Sequence, residues 1–291
     1  FYANVAQIMM TVRTAVITGA SSGIGLVVAR ELARSGWRVI AHGRNSGRAE
    51  AAMQHIRSAA AEADVSMMMA DFSVMAEVAR FAAEVAGLTD SIDLLVNNAG
   101  FTPAARVQTV DGLEQCFAAN HMAPFVLTNR LLPLLKAAAP GSQVINTASI
   151  AHRFIKDMKW DDLQQTKNFS ASDAYAQSKL ANILHARELA RRVKGDGISV
   201  NAVHPGLVQT NFDSHGNILV KLMYLFSKPF SLNPEQGADT ILWLAEGGAP
   251  SATGQYFSKR KLGSMTAAAR SDEAALRLWK ISEKLAVGEG Q

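Results

Sequence analysis

Short apolar, β-favouring runs take turns with alanine-rich helical stretches from residue 14 to about residue 257. Such a rhythm belongs to βα units, whose strands lie parallel because each helix carries the chain back across the sheet. The strands read from it are Thr14 to Thr18, Arg38 to His42, Ser66 to Asp71, Asp93 to Asn97, Gln143 to Thr147, Ile198 to Val203 and Gln255 to Phe257. Seven strands predict an α/β fold with a doubly wound, seven-stranded parallel sheet flanked by helices. Helices such as Ile24 to Ser35 and Tyr175 to Val193 close at or near Gly36 and Gly195, where glycine permits a left-handed C-cap.

Composition narrows the function classes. Of 291 residues, 48% are hydrophobic and 19% charged, which suits a folded core and not a disordered chain. The net charge is only +4, and the basic residues are scattered apart from the short run Lys259, Arg260, Lys261, so no nucleic-acid partner is expected. One cysteine, Cys116, rules out an intrachain disulfide and a multi-cysteine metal site and suits a cytoplasmic protein. No apolar run approaches the roughly 20 residues of a transmembrane segment. Residues 1–11 are read as a disordered or vector-derived leader, 12–285 as one domain without repeats or linkers, and 286–291 as a tail.

Two long connections, at 150–172 and 207–233, follow the carboxyl ends of strands, where open α/β sheets bind ligands; both are expected to be substrate loops. Within the second, the apolar run Ile218 to Phe226 fits a substrate lid, a core helix or a membrane-contact patch.

The first strand runs into Thr18-Gly19-Ala20-Ser21-Ser22-Gly23-Ile24-Gly25 and then directly into a helix. Glycine there lets the backbone approach a pyrophosphate, whose charge the helix N-terminus favours, so a Rossmann-type dinucleotide site is expected at Gly19, Ser21, Ser22, Gly23, Ile24 and Gly25. The second strand ends His42-Gly43-Arg44-Asn45, with arginine where an NAD site usually has a carboxylate. Arg44 fits a ribose 2′-phosphate, which makes NADP(H) the expected cofactor and NAD(H) the alternative. Asp71 is a candidate adenine contact or an ordinary turn aspartate. Asn97-Asn98-Ala99-Gly100 is expected to line the cofactor channel through Asn98, Ala99 and Gly100. Asn120, an amide in an apolar helix, calls for a hydrogen-bonding reason.

Tyr175 and Lys179, four residues apart, share a helix face. An ammonium there can stabilise the phenolate and lower a pKa that starts near about 10, giving a general acid or base for a carbonyl or alcohol oxygen that Ser149 can hold. His152, His185 and His204 show no metal-ligand spacing, and no metal is expected.

Taken in order, Thr18 to Gly25, Asn97 to Gly100, Asn120, Ser149, Tyr175 with Lys179, and Pro205-Gly206 followed by Thr210 resemble the short-chain dehydrogenase/reductase family over residues 12 to 285. Within it the chain resembles the retinol dehydrogenase and WW-domain oxidoreductase branch, through Ser149-Ile150-Ala151-His152, Trp160-Asp161-Asp162-Leu163, Ser178 to Leu184, Val203-His204-Pro205-Gly206 and Arg277-Leu278-Trp279. Ala148 departs from the branch's serine, and the N-terminal anchor of its vertebrate members is not read here. The resemblance implies a catalytic tetrad of Asn120, Ser149, Tyr175 and Lys179. In it Asn120 positions a relay water and Lys179 bonds the nicotinamide ribose, while Pro205, Gly206, Val208 and Thr210 border the nicotinamide. It also implies a homodimer or homotetramer built on helices from about Gly112 to Lys136 and Tyr175 to Val193. The function expected is NADP(H)-dependent hydride transfer to or from a carbonyl or alcohol of a small, fairly apolar molecule. A conjugated C=C reductase and a non-catalytic NADP(H)-sensing regulator are the alternatives.

Overall fold

The computed structural model describes residues 12–206 and 232–287. Its strands are β1 (Thr14–Ile17), β2 (Arg38–Gly43), β3 (Val65–Met69), β4 (Leu94–Asn97), β5 (Gln143–Thr147), β6 (Ser199–His204), β7 (Tyr256–Ser258) and β8 (Lys261–Leu262). They form one sheet in the order β3-β2-β1-β4-β5-β6-β7-β8. The first seven are parallel, as expected, and the two-residue β8 adds an antiparallel edge that the sequence reading did not include. Helices are α1 (Gly23–Arg34), α2 (Ser46–Ala59), α3 (Met75–Leu88), α4 (Gln115–Phe117), α5 (Ala123–Ala137), α6 (Ala171–Arg192), α7 (Pro234–Ala245), α8 (Ala267–Arg270) and α9 (Asp272–Ala286).

The central strands are apolar at consecutive positions because both faces of the sheet are dry. Val16, Ile40, Leu95 and Val144 point to one side, where they meet Phe81, Phe117, Leu131 and Leu184. Their neighbours Ala15, Ile17, Val39, Leu94, Val96 and Ile145 point to the other and meet Val28, Leu32, Ile241 and Leu244. β1 pairs with β2 on one side and β4 on the other, so the connections leaving β1 and β4 diverge and open a crevice at their carboxyl ends.

Two later regions close around α6. The 150–172 connection begins with a 3₁₀ turn, Ile150–Phe154, and folds back on α6, where Gln177 donates to Leu163 O at 2.8 Å and accepts from Lys159 N at 2.9 Å. α9 starts at Ser271, whose side chain accepts from Ala274 N, with Asp272 and Glu273 favourably placed in the first turn. Its buried stripe, Ala274, Ala275, Leu278 and Trp279, lies on α5 and α6. The Trp279 ring sits 4.8 Å from Phe125 and 5.8 Å from His185, and the Arg192 guanidinium covers it at 4.2 Å. Arg277 stacks over Trp160 at 4.5 Å, so two of the stretches that carry the branch resemblance touch each other. Part of the helix surface on which a dimer was expected is therefore occupied by α9 of the same chain.

Candidate active site

The glycine turn sits at the mouth of the crevice. Gly19 has φ +67°, and a Cβ on it would lie 2.8 Å from Ala99 Cα; one on Gly25 would lie 2.3 Å from Gly19 O. Side chains at either place would force the β1–α1 turn away from β4. Ser22, the N-cap of α1, makes no side-chain cap bond, and the first turn of α1 holds no acidic residue. The helix thus starts with amide donors open to an anion, which fits the pyrophosphate of a dinucleotide.

At the end of β2, Arg44 is exposed, and among the described residues no hydrogen bond or ion pair holds its guanidinium. Gly43, just before it, packs against Ser21 of the glycine turn, a Cβ there lying 3.2 Å from Ser21 Cβ. The arginine therefore emerges beside the turn. Asp71 has a structural commitment: Oδ1 accepts from Ser73 N at 2.9 Å and from Ser73 Oγ at 2.8 Å, which fixes the turn into α3. Sequence reasoning missed His42. Its Nδ1 lies 3.1 Å from Gly19 N and its Nε2 3.0 Å from Ala70 O, so the buried ring links two loops at the crevice.

Asn98 ties the β4 end to the turn: its backbone N and that of Ala99 both donate to Thr18 Oγ1 at 2.9 Å, and its Nδ2 donates to Thr18 O at 3.0 Å. Asn120 lies in a π-helical turn, Ala118–Met122, between α4 and α5. Such turns recur at functional positions. The hydrogen-bonding reason expected for its amide is present: Oδ1 accepts from Phe101 N, Nδ2 donates to Phe101 O, both at 2.9 Å, and Nδ2 also reaches Ser178 Oγ at 3.0 Å. Asn120 thereby locks the loop that follows Gly100.

Ser149 N-caps the 3₁₀ turn, accepting from Ala151 N at 3.1 Å, and its side chain acts on Tyr175 to lower the phenol's pKa. Lys179, 2% exposed, places Nζ 5.4 Å from the Tyr175 ring centre and donates to Thr147 O at 3.1 Å. Asn182 donates to the same carbonyl at 3.1 Å. The expected lowering of the tyrosine pKa is not what these contacts give. Burial pushes the Tyr175 phenol above its ordinary value, against the smaller lowering by Ser149, while burial pulls Lys179 down to about 8. Desolvation outweighs the pairing of phenol and ammonium. The pair is a proton donor beside a readily titrated lysine.

Pro205 and Gly206 follow β6, with Gly206 at φ +94°. Val208, Thr210 and the Ile218–Phe226 run lie outside the described residues. His152 donates from Nδ1 to Ser149 O at 2.6 Å, and His185 accepts from Asn146 Nδ2 at 3.1 Å. Burial lowers both, and lowers His204 to about 4. Among the described residues no group of three or more His, Cys, Asp or Glu is placed to hold a metal ion, and no helix is long and apolar enough to cross a membrane.

A family model described as short chain dehydrogenase matches residues 13–217. Retinol dehydrogenase 12 of Bos taurus is 40% identical over 275 residues, spanning 94% of this chain and 86% of that protein. Human retinol dehydrogenase 14 is 37% identical over 292 residues with the same coverage. Among solved structures, a Mycobacterium paratuberculosis protein superposes with a TM-score of 0.75 at 32% identity, covering 96% of this chain and 95% of that one. The Pseudomonas aeruginosa RhlG/NADP active-site complex gives a TM-score of 0.68 at 27% identity, covering 85% and 94%.

Proposed function

The chain belongs to the short-chain dehydrogenase family, with retinol dehydrogenases among its relatives, and on that premise we propose that it is an NADP(H)-dependent oxidoreductase of carbonyls and alcohols on small, fairly apolar molecules. The observation that carries this is the Lys179 ammonium 5.4 Å from the Tyr175 ring centre, held by Thr147 O, with Ser149 capping the turn at the end of β5 and acting on the same phenol. A nicotinamide dinucleotide, when bound, supplies or receives the hydride. Gly19, Ser21, Ser22, Gly23, Ile24 and Gly25 would hold its pyrophosphate, Arg44 its 2′-phosphate, Asp71 its adenine edge, and Asn98, Ala99, Gly100, Pro205, Gly206, Val208 and Thr210 its nicotinamide half.

In the reductive direction Ser149 Oγ and Tyr175 Oη both address the carbonyl oxygen. Tyr175 donates its proton to that oxygen as the carbonyl carbon takes the hydride, so the alcohol leaves neutral. Lys179 stabilises the phenolate left behind, and Asn120 keeps the neighbouring loop fixed while its helix turn positions a relay water. Tyr175 is protonated at neutral pH and so starts as the donor in this direction, while the burial that raises its pKa makes it the weaker acid until Lys179 stabilises the phenolate. An intact Ser149, Tyr175 and Lys179 set also favours turnover over cofactor sensing.

The direct test is a panel of carbonyls and alcohols followed by nicotinamide absorbance, with NADPH and NADH in parallel. Faster NADPH oxidation with apolar aldehydes or ketones is expected; no turnover with either cofactor across the panel would contradict the proposal. Cytoplasmic residence and a homodimer or homotetramer complete it, checked by fractionation and by light scattering. With α9 covering part of α5 and α6, assembly would draw on surface those helices leave outside that contact.

A further inference from the structure

His42 stands on the middle strand of three elements that a bound adenosine would touch. Its main-chain oxygen accepts from Ala20 N at 2.8 Å, and its ring nitrogen Nδ1 is 3.1 Å from Gly19 N. Two consecutive amides of the glycine turn therefore end on one residue of β2. On the other side of the ring, Nε2 is 3.0 Å from Ala70 O, the residue immediately before Asp71, and Ala70 N donates to Gly43 O at 3.1 Å. The ring is stacked on Phe72 with centroids 3.8 Å apart and 16° between planes, and meets the Phe81 edge at 5.3 Å.

These partners dictate the tautomer. A backbone N–H only donates, so Nδ1 accepts and carries no proton; a carbonyl only accepts, so Nε2 carries it. The imidazole is 3% exposed, and burial pulls its pKa down to about 4, with Asp71 acting upward and Arg44 downward among the charges near it. At neutral pH the ring is an uncharged bridge with one acceptor and one donor, each used.

We propose that His42 is a positioning residue for the adenosine half of the cofactor, a rigid spacer that sets the distance between the pyrophosphate turn and the Asp71 loop across the strand that ends in Arg44. This rests on the NADP(H) site proposed above. A nucleotide spanning that gap needs turn and loop at one separation, and a planar ring bonded at both ends holds it with no rotamer freedom left to lose on binding. The chemistry of hydride and proton transfer lies at the other end of the crevice, so the effect falls on binding.

The test is calorimetry of NADPH and of adenosine 2′,5′-bisphosphate with the parent, His42→Phe and His42→Gln, alongside kcat at saturating NADPH and a thermal melt. Phenylalanine keeps a ring against Phe72 and removes both hydrogen bonds; glutamine offers an acceptor and a donor again. The expectation is about tenfold weaker binding of both ligands by His42→Phe, kcat within twofold of the parent, and partial recovery in His42→Gln. Parent-like affinity in a folded His42→Phe, or a loss in kcat as large as the loss in affinity, would overturn the assignment. A nitrogen NMR spectrum of the unsubstituted protein at neutral pH serves if the variants do not fold: the neutral Nε2–H tautomer supports the spacer, and the Nδ1–H tautomer or an imidazolium overturns it. A parent that binds no NADPH at all would sink the cofactor reading beneath it, a failure distinct from an unaffected variant.

Discussion

Ser22 at the start of α1 caps nothing with its side chain, and Arg44 stands exposed just after Gly43, which packs on Ser21, whereas Asn120 has both ends of its amide bonded and Lys179 has already donated to a carbonyl inside the fold. The β1–β4 half of the crevice keeps donors and positive charge in reserve; in the other half Asn120, Ser149 and Lys179 are each engaged before any ligand arrives, although Thr147 Oγ1, His152 Nε2, Asn182 Oδ1 and His185 Nε2 are buried around them without a partner among the described residues. The contrast follows from what each half is proposed to bind. A diphosphate brings its own charge and completes amides left open, while a carbonyl brings only a dipole and must be met by groups held in one geometry. Affinity is expected to reside in the first half and rate in the second, and the two should separate under substitution.

The largest separation belongs to Tyr175→Phe. Loss of a positioned general acid is typically about 10²–10⁴-fold in rate, so turnover should all but vanish while calorimetry gives NADPH affinity within a few-fold of the parent. Substantial residual turnover would break the division, because proton donation would then come from elsewhere.

Lys179→Ala should fall next, by about a hundredfold in kcat, and it tests whether the halves meet at this residue. Its reading as a partner of both ribose and phenolate predicts weaker NADPH binding as well, so unchanged affinity would confine Lys179 to the catalytic half. The parent gives a second handle through pH. With its pKa lowered to about 8, the ammonium is present below that pH and lost above it. Reductive kcat should therefore decline as pH rises through about 8, and a flat profile to pH 10 would remove the lysine charge from the rate.

Arg44→Ala has the smallest predicted effect and the most selective one. A charge-assisted hydrogen bond of about 1.5–3 kcal/mol corresponds to roughly ten- to a hundredfold, which should appear in the NADPH to NADH ratio of kcat/KM with NADH values barely moved. A parent that prefers NADH, or an unchanged ratio, would make Arg44 a solvated loop residue.

The same contrast explains what could be read from the residues alone. Gly19 and Gly25 announce their half because close backbone approach leaves no other residue type available, and the central strands announce the sheet because burial on both faces makes them apolar over consecutive positions, with polar residues such as Asn97 and Asn146 confined to places where they are hydrogen-bonded. Strand ends moved by a residue or two, as at β3, where Ala70 still bonds Gly43 of β2 but Asp71 turns away to accept from Ser73. The π-helical turn at Asn120 left no signal, since its sequence is ordinary for a helix and the amide's partner, Phe101, lies 19 residues back. His42 was equally silent: its bonds reach residues 23 and 28 positions away along the chain. The direction of the Tyr175 shift was misjudged because helical spacing shows the neighbouring charge and not the depth of burial. α9 did have a legible pattern, with Ser271 before Asp272 and Glu273 and a stripe through Ala275, Leu278, Trp279 and Ser282. What spacing does not show is the face it covers.

Reduction with NADPH carrying deuterium at the transferable position tests the central claim most directly, by locating the label in the product. Deuterium on the former carbonyl carbon, formed by the parent and lost with Tyr175→Phe, is the predicted result. Label on a carbon of a reduced C=C bond, or product formed without label, would contradict it.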